Sequence, residues 1–382
     1  MKRLFINTAL LLFTAYTLPH PPLYACTIAS GVDRNGHVWN ANNEDGPVGV
    51  ANFLNVFPRQ ENTKYGYYTL CYVSPMFGDG GQIQGGMNEA GLTFDFAAIE
   101  PVNKTELKNK KPFPKGDNAI LTHLLGTMRS TQEVVNFSQT YWFENGFLSA
   151  QMHVADKNGV FANISPSGIQ LVDKGERLVT TNFDICGKED KSSCWRYPIA
   201  SSLLLEQGAS LSTMMSLCRN TAQKTGGTMY STIQNLTTGD IWFFSKHDPD
   251  NIVNTTIQKL LTKGQASYTL SDLRSLTSER EPQEWAEPTA IPLDKTAIDP
   301  FAGTYQNWYI GEIEVTSQDN QIRMTSPFAP AENLYAQSEN RFFIPDAKIA
   351  IAFEVDKKEN KKTMHFFENG RWSFSTWSDM KY

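Results

Sequence analysis

The stretch Leu23-Tyr24-Ala25-Cys26-Thr27 constrains this chain more than any other. What precedes it reads as a signal peptide, residues 1–25. Lys2-Arg3 is the positive end, residues 4–18 are the apolar part, and Pro19-His20-Pro21-Pro22 breaks the helix before the junction. The apolar part, centred on Leu10-Leu11-Leu12-Phe13, is interrupted by Asn7, Thr8 and Thr14 and is too short to span a bilayer stably. No later stretch approaches a membrane span, so no transmembrane segment is expected. The expectation is an exported protein, periplasmic or secreted. A cut after Ala25 makes Cys26 the first residue of the remaining chain, with a thiol and a free α-amine on one residue.

Composition narrows the partners. The 382 residues carry a net charge of −6 and hold no run of Lys and Arg that would suit a phosphate backbone, so nucleic acid is not an expected partner. Aromatic residues are plentiful, which predicts a packed core. The length suits two domains. Of the five cysteines, Cys186 and Cys194 flank a polar loop that a disulfide would close, and Cys71 and Cys218 read as buried thiols or a second disulfide. No C-x-x-C pair exists and the histidines are scattered, so no metal site and no cofactor are expected.

Beyond Cys26 the pattern is one of strands. Asn35-Gly36 signals a hairpin turn, and the second strand runs into the polar cluster Asn42-Asn43-Glu44-Asp45-Gly46. Residues 51–57 and 66–73 read as further strands, and the glycine-rich 78–86 as a bend between strands. A turn at Asn88-Glu89-Ala90-Gly91 feeds Thr93-Phe94-Asp95-Phe96-Ala97-Ala98. Ser130-Thr131-Gln132-Glu133 is a capping-box helix start, and helices are also predicted over 118–128, 197–206 and 210–223. Residues 276–296 form a Pro- and Glu-rich linker, and beyond it nearly everything alternates in strand fashion.

A cysteine nucleophile needs a base for its proton. His37 and His153 lie within strand patterns, His123 lies on a helix, and His20 leaves with the leader. An α-amine, with an ordinary pKa of roughly 7.7–8.0, does the same work without histidine.

Cys26-Thr27, Asn43-Glu44-Asp45, Gly86-Met87-Asn88-Glu89-Ala90-Gly91-Leu92, Thr181-Asn182 and Arg196-Tyr197 together resemble the choloylglycine hydrolase family, which includes penicillin V acylases, bile salt hydrolases, and acyltransferase and acid-amidase relatives. The resemblance spans roughly residues 26–245. It implies an N-terminal-nucleophile hydrolase, an α+β, four-layer αββα sandwich over 26–275, while the strand alternation beyond the linker predicts a small all-β, barrel-like domain over 297–382. The resemblance implies that Cys26 attacks an amide carbonyl while its own α-amine accepts the thiol proton. Asp45 would hold that amine, Asn182 would donate a side-chain N–H to the oxyanion with a backbone N–H near Ala98 as the second donor, and Arg196 would set the electrostatics around Asp45 and Cys26. One departure stands out. The family pattern Arg-Asn-x-Asp is here Asn42-Asn43-Glu44-Asp45, which removes an arginine and adds a carboxylate. The segment Asp299-Pro300-Phe301-Ala302-Gly303-Thr304-Tyr305 resembles the start of the lipocalin-like β-domain of some exported serine hydrolases.

The expected activity is hydrolysis of a linear, non-peptide amide through an acyl-enzyme, on a small-molecule substrate with a hydrophobic acyl group. Two alternatives remain open. One is an acyltransferase of the same fold. The other is an inactive binding protein, lipid-anchored or soluble, because Leu23-Tyr24-Ala25-Cys26 is also an imperfect bacterial lipobox whose lipidation would block thiol and amine alike.

Overall fold

Asn35-Gly36 closes the turn between β1 (Thr27–Val32) and β2 (Val38–Asp45). Gly36 sits at φ +82°, where glycine meets no Cβ penalty, and Asp33 accepts from the backbone N–H groups of Asn35 and His37. The structure, a computed structural model, describes residues 26–46, 52–72, 82–101, 110–115, 117–142, 148–187, 190–223, 227–245, 248–269, 286–307, 311–326, 329–356, 361–368 and 371–377. The leader and much of the linker expected at 276–296 lie outside these residues.

The chain continues through β3 (Asn52–Phe57), β4 (Tyr67–Tyr72), β5 (Gln82–Asn88) and β6 (Leu92–Ala98). A two-residue parallel pair, β7 (Lys111–Pro112) and β8 (Tyr141–Trp142), brackets helices α1 (Asp117–Thr127) and α2 (Thr131–Thr140). The capping box expected at Ser130 is present in both directions: Ser130 accepts from the Glu133 N–H and the Glu133 carboxylate accepts from the Ser130 N–H. Next come β9 (Ala150–Asp156), β10 (Phe161–Ser165), β11 (Gly168–Val172) and β12 (Arg177–Thr180), then α3 (Arg196–Gln207) and α4 (Leu211–Thr221). The run ends with β13 (Thr228–Asn235), β14 (Asp240–Ser245), β15 (Asp248–Thr256), α5 (Ile257–Thr262) and β16 (Ala266–Thr269).

These strands form two antiparallel sheets. One has six strands in the order β12-β1-β2-β13-β14-β15; the other has eight, β11-β10-β9-β6-β5-β4-β3-β16. Period-two alternation gives each sheet two buried faces. Ala29, Ala41, Val179 and Ile233 meet Leu204, Met214 and Leu217 of α3 and α4 on one outer face. Leu92, Phe94, Phe96 and Val154 meet Leu121, Leu125 and Val134 of α1 and α2 on the other. Between the sheets lie Val38, Leu54, Tyr68, Leu70 and Met87. The result is the four-layer αββα sandwich expected from the sequence. Cys71 packs in the α1/α2 layer and Cys218 in the α3/α4 layer, so both sheets separate them. All five cysteines are free thiols, and the loop-closing Cys186–Cys194 disulfide is not formed.

One expectation fails. Residues 82–86 are not a bend but the first part of β5. The glycines serve closeness rather than turning. A Cβ on Gly86 would collide with the Tyr68 carbonyl oxygen and lie 2.8 Å from Leu125 Cδ1; one on Gly85 would lie 2.8 Å from Asp95 Oδ2.

After α6 (Lys295–Ile298), eight strands close an antiparallel barrel: β17 (Gly303–Asn307), β18 (Gly311–Gln318), β19 (Gln321–Ser326), β20 (Ala329–Ala336), β21 (Arg341–Ile344), β22 (Ile349–Asp356), β23 (Lys361–Glu368) and β24 (Arg371–Trp377). Its core holds Tyr305, Ile313, Ile322, Phe342, Ile351 and Phe353, as expected for a barrel just wide enough for side chains. Phe343, Ala350 and Phe367 are buried outside that core, in the same apolar cluster as Val253 and Leu260 of the sandwich.

Gly86→Ala is expected to cost about 1–3 kcal/mol, because backbone rather than a flexible side chain blocks the new methyl group. A lowered urea midpoint with an unchanged slope checks this.

Candidate active site

Cys26 stands at the head of β1 and is 5% exposed, packed with Ile28 and Ala97 between the sheets. Its thiol donates to the Asp45 carbonyl oxygen at 3.7 Å. Pairing of Thr27 with Asn43 and of Ile28 with Asn42 carries Cys26 to a position opposite Glu44 at the end of β2. Residues opposite one another in an antiparallel ladder share a face. Cys26, Asn42 and Glu44 therefore face the second sheet, whereas Asn43 and Asp45 face α3 and α4.

The α3 side is cationic. Arg196, first residue of α3, is 3% exposed, and its Nη1 donates to Asp45 Oδ2 at 3.0 Å and to the Cys26 carbonyl oxygen at 3.3 Å. Its Nη2 donates to Asn182 Oδ1 at 2.6 Å and to Cys194 Sγ at 3.3 Å. Thr228 on β13 completes the Asp45 carboxylate, donating to Oδ1 at 2.5 Å. The sequence leaves open a surface pairing of Arg196 with Asp190 or Glu189; instead the guanidinium is turned inward onto Asp45. Burial pushes the Cys194 thiol up, but the charge of Arg196, which also donates to its sulfur, leads the effects that outweigh it, and the net shift is downward.

Asn182 follows β12 and is half-buried. Its Nδ2 donates to the Ala98 carbonyl oxygen at 2.8 Å. Asn182 and Ala98, the two oxyanion candidates, are thus in direct contact, and the amide N–H assigned to the oxyanion has a backbone partner here.

The face toward the second sheet is anionic. Glu44 stands on the thiol's face of β2, and its charge acts on Cys26. Asn42 Nδ2 donates to Glu44 Oε2 at 3.1 Å and to Asp95 Oδ2 at 2.7 Å, while Asp95 Oδ1 accepts from the Phe96 N–H at 2.9 Å. Burial first, then the Asp95 charge, pushes Glu44 well above the usual carboxylate range; burial does the same for Asp95 against its two hydrogen bonds. Burial, then Glu44 and Asp45, raises the Cys26 thiol well above its ordinary value. Tyr230 lies opposite Glu44 across a bulge at Met229, and burial followed by Glu44 and Asp95 holds its phenol protonated.

Among the described residues no histidine bonds Cys26, Asp45, Asn182 or Arg196. His37 bonds Asp33, and His123 stacks on Phe113 and Phe137. His153 sits between Ser30 at 2.8 Å and Thr180 at 2.9 Å, with its pKa pushed down to about 3 by burial.

Cys26, Asp45, Asn182, Arg196 and Ala98, scattered over 171 positions of sequence numbering, therefore come together at one end of the sandwich. Sequence reasoning missed Asp95, Tyr230, Thr228 and Cys194 as members of this cluster. A signal for Asp95 existed. It lies between Phe94 and Phe96, so alternation turns it away from their face, and a sheet covered on both sides buries it.

No family model matches the chain, and no curated protein matches it. Among solved structures it is similar to penicillin V acylase from Agrobacterium tumefaciens, with 18% identity and a TM-score of 0.45 over 64% of this chain and 91% of that one. It is similar to a variant of conjugated bile acid hydrolase from Clostridium perfringens, with 14% identity and a TM-score of 0.46 over 64% of this chain and 96% of that one. It is also similar to an N-acylethanolamine-hydrolyzing acid amidase ortholog from Caenorhabditis elegans, with 17% identity and a TM-score of 0.40 over 56% of this chain and 93% of that one.

Proposed function

We propose that this chain, once cut before Cys26, hydrolyses a linear, non-peptide amide through a thioester on Cys26. The observation that carries the reading is the single guanidinium of Arg196 bonded at once to the Cys26 backbone, Asp45 and Asn182. A buried cation that orders a chain head, a carboxylate and an amide is costly to build, and this arrangement suits a reacting N-terminal residue better than a packing role.

In the proposed reaction the α-amine of Cys26 takes the thiol proton as Sγ attacks the amide carbon. Asp45, fixed by Arg196 and Thr228, holds the amine. Negative charge on the carbonyl oxygen is met by the Asn182 amide, which turns from the Ala98 carbonyl toward the substrate, and by a backbone N–H near Ala98. The protonated amine then gives its proton to the leaving nitrogen, and the same group activates water to release the acid. A hydrophobic acyl group on a small amine remains the proposed substrate class. Burial of Cys26, 5% exposed and packed with Ile28 and Ala97, supports a nucleophile over a lipidated cysteine, for which a diacylglyceryl chain would need open space. Export, with residues 1–25 as the signal and 276–296 as a linker, is part of the same proposal.

Cys26→Ala and Cys26→Ser are expected to abolish or nearly abolish hydrolysis across a panel of acyl amides. An electrophilic acyl probe should label residue 26 in the wild type alone. Full activity in either variant, or a diacylglyceryl adduct on the mature N-terminal peptide, overturns the reading. Asn182→Ala is expected to lower kcat by about 10²–10³ with a smaller change in KM, as for loss of one oxyanion donor. Arg196→Lys keeps the charge but not the fork that reaches four partners, and should lower kcat/KM more than it lowers the unfolding midpoint.

A further inference from the structure

The Arg-to-Asn change at position 42 and the extra carboxylate at 44 have a common consequence. Asn42 Nδ2 holds Glu44 and Asp95 at 3.1 and 2.7 Å, so one amide group spans the two carboxyls. They are 2% and 4% exposed, respectively. The ionisable groups facing them are Cys26 from β1, Tyr230 from β13, Tyr68 from β4 and His153 from β9; Asp45 follows Glu44 on β2 but turns to the other face. Among the described residues none of these side chains supplies a positive charge, and in the chain cut before Cys26 the α-ammonium of Cys26 offsets one carboxylate and not two. Tyr68 is engaged by Gln234 Nε2 at 2.6 Å, and His153 is held neutral between Ser30 and Thr180. Arg196 is bonded to Asp45 on the far face of β2. Asn42 Oδ1 is itself buried without a hydrogen-bond donor. Two carboxylates in a water-poor site that share no more than one cation do not both ionise at modest cost.

We propose that Glu44 and Asp95 retain one proton between them through the neutral range, and that this carboxyl pair limits the negative charge beside the Cys26 sulfur and so governs its ionisation. The inference rests on Cys26 being the nucleophile. Both carboxyls are positioning residues: the thiol proton still passes to the α-amine, and the proton of the pair stays on a carboxyl oxygen. Sign follows directly. Loss of the shared proton to solvent at higher pH adds a second negative charge next to Sγ, makes the thiolate harder to form, and switches the site off. Acidification restores the proton and the activity, until the α-amine is too fully protonated to act as base.

The test uses the chain beginning at Cys26, with Glu44→Gln and Asp95→Asn as separate variants. The infrared carbonyl band of a protonated carboxyl should be present in the wild type at neutral pH, and its loss on raising the pH should shift to lower pH in each variant, because the remaining carboxyl then has no like-charged partner. The rise of Cys26 alkylation by iodoacetamide with pH, followed by peptide mass, should flatten over the range in which the wild-type band is lost, and at correspondingly lower pH in each variant. Cys71 and Cys218, buried in other layers, should stay unlabelled and so gauge folding. Loss of the band at the same pH in the wild type and both variants, or a Cys26 alkylation profile that does not follow the band, overturns the proposal. If a variant unfolds and labels Cys71 and Cys218, the wild-type band decides, and its absence at neutral pH overturns the proposal. A wild type whose Cys26 takes no label at any pH defeats the nucleophile reading instead, while the infrared result still judges the pair.

Discussion

The Arg196–Asp45 pair holds the candidate site together. Both side chains are almost fully buried, at 3% and 1% exposure, and the ions meet at 3.0 Å. Removing a guanidinium and a carboxylate from water costs several kcal/mol each, and their mutual attraction offsets this only where the geometry is good and the remaining polar atoms find partners. Here they largely do. Thr228 takes the second carboxylate oxygen, while the Cys26 carbonyl, Asn182 and Cys194 take guanidinium N–H groups. Four segments far apart in sequence thereby become mutually dependent: the head of β1, the end of β2, the turn after β12 and the start of α3. Breaking a buried pair of this kind by removing one partner costs about 3–5 kcal/mol, so this part of the sandwich closes only when all four segments are in place.

Two adjacent residues of β2 meet opposite electrostatic conditions. Strand geometry sends Asp45 toward α3 and Glu44 toward the second sheet. Asp45 meets a cation; Glu44 meets another carboxyl. The bulge at Met229 serves both faces. With one extra residue in β13, Thr228 lies opposite Asp45 and Tyr230 opposite Glu44, so the strand offers a hydroxyl donor on one face and a phenol on the other. A regular ladder would place Thr228 and Tyr230 on one face.

The sandwich and much of the cluster were legible because their signals are local. Asn35-Gly36 marks a turn, Ser130 and Glu133 mark a helix start, and Asp45, Asn182 and Arg196 stand at element ends where polar residues interrupt apolar runs. Gly85 and Gly86 misled for a physical reason. Glycine marks either a turn or a close approach, and only the partner strand, with Tyr68 and Asp95 on it or beside it, decides which. Asp95 and Tyr230 were not recognised as site members because each lies inside a strand, and its neighbours in the cluster are fixed by pairings that no local pattern carries. Closure of the barrel has the same character: β17 pairs with β24 across the whole segment, through Gln306 and Trp377.

The polar region between the sheets explains how carboxyls come to be buried beside a thiol. Away from Cys26 this interlayer is apolar, with Leu54, Val56, Leu70 and Met87. Toward it, Ser30, Asn40, Thr93, His153, Thr180 and Gln234 join the sheets by direct hydrogen bonds. Gln234 alone accepts from Asn40 and Thr93 and donates to the Tyr68 hydroxyl. Such a network is stabilising only when nearly every member is satisfied, and it uses up the donors it contains. By the time it reaches Asn42, both N–H groups are spent on Glu44 and Asp95 and the carbonyl oxygen has no donor. An arginine at 42 would have supplied charge as well as donors and kept both carboxyls ionised. An asparagine supplies two N–H groups and no charge, so on the proposed reading the α-ammonium balances one carboxylate and a proton neutralises the other. That ties the ionisation of Cys26 to the pH of the surroundings.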